Sequence, residues 1–157
     1  MNITRFTDYS LRVLIYLSLH NEELVTIKEI AQCYGISKNH LMKVVQELST
    51  KGYITSIRGK NGGIKLGREP AEINVGELVR MKEQDSTLVE CFGEGNSCVI
   101  TPACQLKNML SEAMESFFQS LEKYTLADLV HGPDKKQLIK IFAAELAEDV
   151  GAVPSVS

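Results

Sequence analysis

The chain has 157 residues, of which 44% are hydrophobic and 24% charged, a globular composition that excludes disorder as its main state. The longest strongly apolar run, residues 13–17, is far too short to cross a bilayer, and no basic segment followed by an apolar stretch opens the chain, so a cytoplasmic location is expected. The net charge of −3 is modest, and its distribution along the chain is uneven.

Residues 7–20 place Leu11, Leu14, Ile15 and Leu17 at helical spacing and read as a core helix. Thr26 and Glu29 form a capping box that opens a second helix carrying Ile27, Ile30, Ala31 and Tyr34. Gly35 suits the left-handed turn past its end. Ser37 caps a third helix that sends Leu41, Val44, Val45 and Leu48 inward before Gly52 stops it. Two short helices joined by a glycine turn form the helix-turn-helix pattern. Residues 53–57 are strand formers, residues 58–63 a turn, and Ile64-Lys65-Leu66 a returning strand. The predicted fold class is therefore mainly α with a small β-hairpin, a winged helix-turn-helix.

Asn74 and Glu77 cap a further helix to about Glu83, and residues 84–100 are irregular. Thr101-Pro102 is read as the start of the longest helix, with proline where its missing N–H costs nothing. Along it Leu106, Leu110, Ala113, Phe117, Leu121 and Tyr124 recur every three or four residues, widened by Met109, Met114 and Phe118. So broad a stripe on an arm of a small domain is expected to face a second copy of the chain. Thr125 and Asp128 cap a short turn, residues 135–148 form a last helix, and residues 151–157 read as a loose tail. The expected organisation is a DNA-binding domain over residues 1–70, a connecting helix and cysteine loop over 71–100, a dimerisation helix and turn over 101–130, and a partly flexible extension over 131–157.

Charge supports the first of these. Residues 1–70 carry ten Lys and Arg against six acids, and between Gly35 and Arg68 there are seven bases against Glu47 alone. A basic patch on an acidic chain is the footprint of nucleic-acid binding. The first turn of the recognition helix offers Lys38, Asn39 and His40, with Lys43 one turn on, and Ser37 can meet a phosphate as well as cap. Arg58, Lys60 and Asn61 at the wing tip suit a phosphate or a narrow minor groove. A twofold dimer would double these contacts on a palindromic site. No nucleophile–base pair or phosphate loop stands out, so an enzyme is not expected. No membrane partner is expected either.

The chain has four cysteines. Cys33 lies within the second helix and reads as a small buried hydrophobe. Cys91, Cys98 and Cys104 are spaced C-x6-C-x5-C beside glycines and a helix start. A structural zinc site needs paired C-x2–4-C steps and four ligands, which this spacing lacks. An iron–sulfur cluster tolerates wider spacing and a non-cysteine ligand. A thiol redox switch and unliganded thiols are the remaining readings.

Five stretches carry a resemblance: Phe6-Thr7-Asp8-Tyr9, residues 34–40, residues 57–63, residues 98–104 and residues 124–129. On these the chain resembles the iron–sulfur winged-helix regulators over about residues 1–130, and most closely their nitric-oxide-sensing repressor branch. The resemblance implies a homodimer that represses from palindromic DNA and releases it in response to nitric oxide. It implies an iron–sulfur cluster, 4Fe–4S ahead of 2Fe–2S, held by Cys91, Cys98 and Cys104. The fourth ligand it implies is an aspartate near the N-terminus of the other subunit, which maps onto Asp8. Arg12, one helical turn on, would pair with Asp8 once the cluster is gone. A sister branch that reports cluster status has a histidine three residues after its third cysteine. Here that position is Lys107, which favours the nitric-oxide branch. The alternatives are an iron-free thiol-redox or zinc-dependent winged-helix regulator and a cluster-status sensor.

Overall fold

In a computed structural model of the chain, residues 1–151 are described, with side chains as far as Glu148. The loose tail expected over residues 151–157 lies outside them apart from Gly151, which is still helical. The architecture is mainly helical with one two-stranded antiparallel sheet, as predicted.

Helix α1 spans Arg5–Leu19 and starts two residues earlier than the hydrophobic pattern suggested. Thr4 is the reason, because its side chain accepts the Thr7 N–H and satisfies a donor that the helix cannot. Helix α2, Ile27–Tyr34, is capped by Thr26 and closed by Gly35 at φ +64°, a conformation that glycine adopts without strain. Helix α3, Lys38–Thr50, begins at the Ser37 cap. Strands β1, Ile54–Ile57, and β2, Gly63–Leu66, pair with Ile54 opposite Leu66 and Ile57 opposite Gly63. A bridge from Val25 to Ile64 ties this wing to the entry of α2.

Val13, Leu14, Tyr16, Leu41, Val44 and Leu48 are fully buried and form the centre of the core. That core also takes in Leu126 from α6, Leu126–Leu129, and Phe142 from α7, Gly132–Gly151. The Phe142 ring sits 5.0 Å from Tyr16 and 5.3 Å from Tyr34, so the last helix packs on the helix-turn-helix itself. Burial and the hydrogen bond to Glu29 push the Tyr16 hydroxyl well above the usual tyrosine range, and it stays a donor.

Helix α4, Val75–Glu83, meets α5, Gln105–Leu121, at close range. A Cβ on Gly76 would stand 2.3 Å from the Glu122 backbone N, so only glycine allows this approach. Phe118 fills the interface with Val75 and Val79, and Arg80 bonds both Glu115 and Glu122 across it. The residues Thr101–Ala103 form a separate 3-10 turn, and extended Cys104 precedes α5. The long helix therefore begins later than its proline suggested, and α7, at 20 residues, exceeds its 17.

Candidate DNA interface and cysteine loop

The turn between α2 and α3 is only three residues, which fixes the first turn of α3 at the surface beside the wing. Lys38, Asn39 and Lys43 are exposed there, and no acid stands in the first turn. Ser37 Oγ accepts the His40 N–H at 3.4 Å and remains exposed. His40 is placed differently. Its ring packs edge-on to Tyr9 at 4.8 Å and lies 6.5 Å from Phe6, so it is half-buried against α1. Arg58, Lys60 and Asn61 are all exposed on the turn between β1 and β2.

Two further cations near this face were not singled out from sequence. Lys28, in the first turn of α2, lines the groove between α2, α3 and the wing together with Lys38 and Ser56. Its place beside a helix N-terminus was the available signal. Arg68, though exposed, folds back onto the chain, donating to the Lys51 carbonyl at 2.8 Å and covering the Tyr53 ring at 4.3 Å. It braces the foot of the wing.

The cysteines occupy residues 84–104, between α4 and α5. Cys91 lies half-buried in a 3-10 turn, Cys98 is exposed, and Cys104 is half-buried at the cap of α5. All three are free thiols. Short polar contacts shape the loop around Cys98. Asn96 Oδ1 accepts the Cys98 N–H at 3.0 Å, and Thr101 Oγ1 donates to the Cys98 carbonyl at 2.8 Å. Glu90 accepts from Ser97 N–H and Oγ. Cys33, by contrast, is buried, with Sγ 3.8 Å from the Tyr16 hydroxyl and from the Phe142 carbonyl.

An iron–sulfur cluster needs soft anionic donors, and three free thiols within one loop fit it in kind and could supply three of its four ligands. Among the described residues, however, no three His, Cys, Asp or Glu side chains are gathered closely enough to grip a metal. The donors are supplied by this chain; a closed cage is not.

Asp8 stands on the first turn of α1 and is held by Arg12. The guanidinium donates to both carboxylate oxygens, Nε to Oδ1 at 3.0 Å and Nη2 to Oδ2 at 2.8 Å. Arg12 also lies 5.6 Å from the Tyr9 ring centre and 5.8 Å from that of Tyr34. Tyr9 touches His40 in turn, so a line of contacts runs from Asp8 to the start of α3. No described helix is long and apolar enough to cross a membrane.

Comparisons with known proteins agree with this geometry. The NsrR transcriptional regulator of Bacillus licheniformis is 53% identical over 136 residues, covering 85% of this chain and 95% of the relative. The NsrR regulator of Bacillus subtilis is 51% identical over 143 residues, covering 90% and 97%. Among solved structures, T. potens IscR superposes with a TM-score of 0.66 at 26% identity, covering 82% of this chain and 85% of that one. CymR, described as the global cysteine regulator of B. subtilis, gives 0.65 at 29% identity, covering 82% and 95%. These relatives are regulators and not enzymes, and residues 3–132 match the profile of the Rrf2 family, described as an iron-dependent transcriptional regulator. This chain belongs to the Rrf2 family of transcriptional regulators.

Proposed function

We propose that this chain is a cytoplasmic, homodimeric transcriptional repressor that binds a palindromic DNA operator and lets it go when nitric oxide reaches an iron–sulfur cluster. The observation that carries the DNA-binding part is the exposed, acid-free first turn of α3 beside a cationic wing tip. Lys38, Asn39 and Lys43 have the donors that base edges in the major groove accept, and Asn39 can pair with adenine through both its amide groups. Ser37, Arg58, Lys60 and Asn61 meet the backbone or the minor groove and set the register. His40, packed on Tyr9, contributes by seating the helix more than by reading a base.

The dimer contact belongs to the outer face of α5. Leu106, Met109, Ala113 and Phe117 follow one another at intervals of three and four residues and are exposed in the single chain. A contiguous exposed apolar stripe of this kind marks an interaction surface.

Cys91, Cys98 and Cys104 would hold the cluster, with Asp8 of a second copy as the fourth ligand. When bound, the cluster supplies iron that takes up nitric oxide at the expense of its protein ligands. Asp8 has two competing uses in this scheme. A carboxylate whose two oxygens are both taken by Arg12 has its strongest lone pairs occupied, so pairing with Arg12 and ligation are alternatives. Arg12 thus captures Asp8 when it is not ligating, which leaves α1 unlinked to the loop of the other copy, and linked and unlinked arrangements with different DNA affinity are what a signal can shift.

An anaerobic titration with nitric oxide, following visible absorbance and operator retention together, tests the reading. Both should fall over the same range of nitric oxide. Loss of colour with unchanged operator binding would refute the sensing role. A second reading, an iron-free thiol-redox regulator, is favoured by the three free and ungathered thiols. It predicts colourless protein whose operator binding responds to oxidant alone.

A further inference from the structure

The last turn of α4 carries a charge that the fold has taken out of water. The Lys82 side chain is 3% exposed, and its Nζ stands 2.8 Å from Glu47 Oε1. Among the described residues no other acceptor reaches this ammonium, and the face of the Phe6 ring covers it at 4.3 Å. An ammonium so withdrawn depends on its one counter-ion, because its other donors have lost water without gaining a partner. Burial pulls the Lys82 pKa down, and Glu47 works against that pull.

The partners of Lys82 belong to moving parts of the proposed repressor. Glu47 is the one acid between Gly35 and Arg68 and lies on α3, a single turn beyond Lys43. Phe6 lies two residues before Asp8, and its ring also neighbours His40 on α3. The next residue after Lys82 is Glu83, whose carboxylate accepts Thr4 N–H at 2.9 Å, Thr4 Oγ1 at 2.8 Å, Ser86 Oγ at 2.8 Å and the Thr7 hydroxyl. The cysteine loop starts directly beyond it. Two adjacent side chains at the root of that loop therefore grip both the recognition helix and the N-terminal turn of α1.

We propose that Lys82 is a positioning residue for DNA recognition: its ammonium holds Glu47, and with it the reading face of α3, against the root of the cysteine loop, so that the state of the loop reaches the helix through this ion pair. The inference rests on the reading of the chain as a DNA-binding repressor with the loop as its sensor. Without Lys82, Glu47 becomes an unneutralised carboxylate beside Lys43 on a face that meets phosphates. A purely structural ion pair would affect folding but would not link the loop to DNA affinity.

The test uses the full chain and a duplex that the parent chain selects from a random-sequence DNA pool, with an unselected duplex as the control. Lys82→Met should lower affinity for the selected duplex by about tenfold. Adding Glu47→Gln should recover only part of that loss, about threefold, since the repulsion goes with the charge but the hold on α3 does not return. In that double variant the ratio of affinities between iron-loaded and iron-free protein should shrink by at least about threefold, while Lys82→Arg keeps it near the parental value. An unchanged ratio in a double variant that melts like the parent overturns the proposal. If Lys82→Met alone fails to fold, the double variant, which leaves no buried charge unpaired, decides the matter. A parent chain that selects no sequence removes the DNA-binding reading and this proposal with it. A parent that selects one but binds it equally with and without iron removes the sensor reading instead, and with it the coupling assigned to Lys82.

Discussion

Asp8 and Glu83 are both carboxylates near the N-terminal turn of α1, and their surroundings give them opposite jobs. Asp8 and Arg12 are each about two-fifths exposed, at 41% and 42%, so their ion pair adds at most about 1 kcal/mol to stability. Replacing Asp8 by Ala should therefore leave the melting temperature nearly unchanged. If Asp8 is a ligand, the same change should speed the anaerobic loss of visible absorbance on exposure to nitric oxide or chelator. Equal decay in variant and parent would remove Asp8 from the site. Glu83 is 6% exposed, and burial raises its pKa, but hydrogen bonds from Thr7, Ser86 and Thr4 outweigh that and hold it below the usual glutamate range. A depressed folded-state value means that its contribution is complete above the unfolded value, about 4.3, and drains away as pH falls below it. Glu83→Gln should cost about 1–3 kcal/mol near neutrality and progressively less in acid. Denaturant titrations at neutral and acidic pH will show the gap between parent and variant narrowing, and a constant gap would mean that the ionised form is not what the threonines bind.

The elements were legible wherever their signals are local. Thr26 with Glu29, Ser37, Asn74 with Glu77, and Thr125 with Asp128 each cap within one turn, and each marks a helix that forms where the cap stands. The misplacements have tertiary causes. Thr4 opens α1 early as a local cap on the Thr7 N–H that the apolar pattern overlooked, and Glu83, 79 residues away, holds that threonine through a contact no local pattern reveals. Helix α5 starts late because Thr101–Ala103 closes its own 3-10 turn. The apolar stripe of α5, read as one face, divides into two. Leu110, Met114, Phe118 and Leu121 turn toward the chain's own body, and Leu106, Met109, Ala113 and Phe117 turn away from it. The division separates two effects by experiment. Phe118→Ala should lower stability by about 3–5 kcal/mol, since it empties the seam between α4 and α5. Met109→Asp should leave the fold of the single chain intact, because Met109 is 63% exposed, and should convert a dimer to a monomer in sedimentation. A dimer that survives Met109→Asp places its interface elsewhere.

For the whole molecule, the decisive property is that an acidic protein carries a group of exposed cations around the acid-free first turn of α3 and the wing tip. The net charge of −3 gives no long-range pull toward DNA, so association depends on the local field of Lys38, Lys43, Arg58 and Lys60. The charge imbalance of residues 1–70 was legible in the sequence. Which cations stay available was not, since Arg68 is spent on Tyr53 and the Lys51 carbonyl, and Lys82 on Glu47. With Lys28 from the adjoining groove there are five exposed cations on this face in each copy, so the proposed dimer would neutralise about ten phosphates, and log affinity should fall against log salt with a slope of about −9. Arg58→Ala should remove one phosphate contact from each copy of the proposed dimer. It should weaken selected and unselected duplexes by similar factors and bring the slope about two units closer to zero. Asn39→Ala should behave in the opposite way, leaving the slope alone while costing about 1–3 kcal/mol of discrimination at one base pair of each half-site. Titrations of both variants at four or five salt concentrations separate the two roles. A slope unchanged by Arg58→Ala would take the wing tip off the backbone, and a slope changed by Asn39→Ala would mean that this amide serves the charge layer and not the sequence.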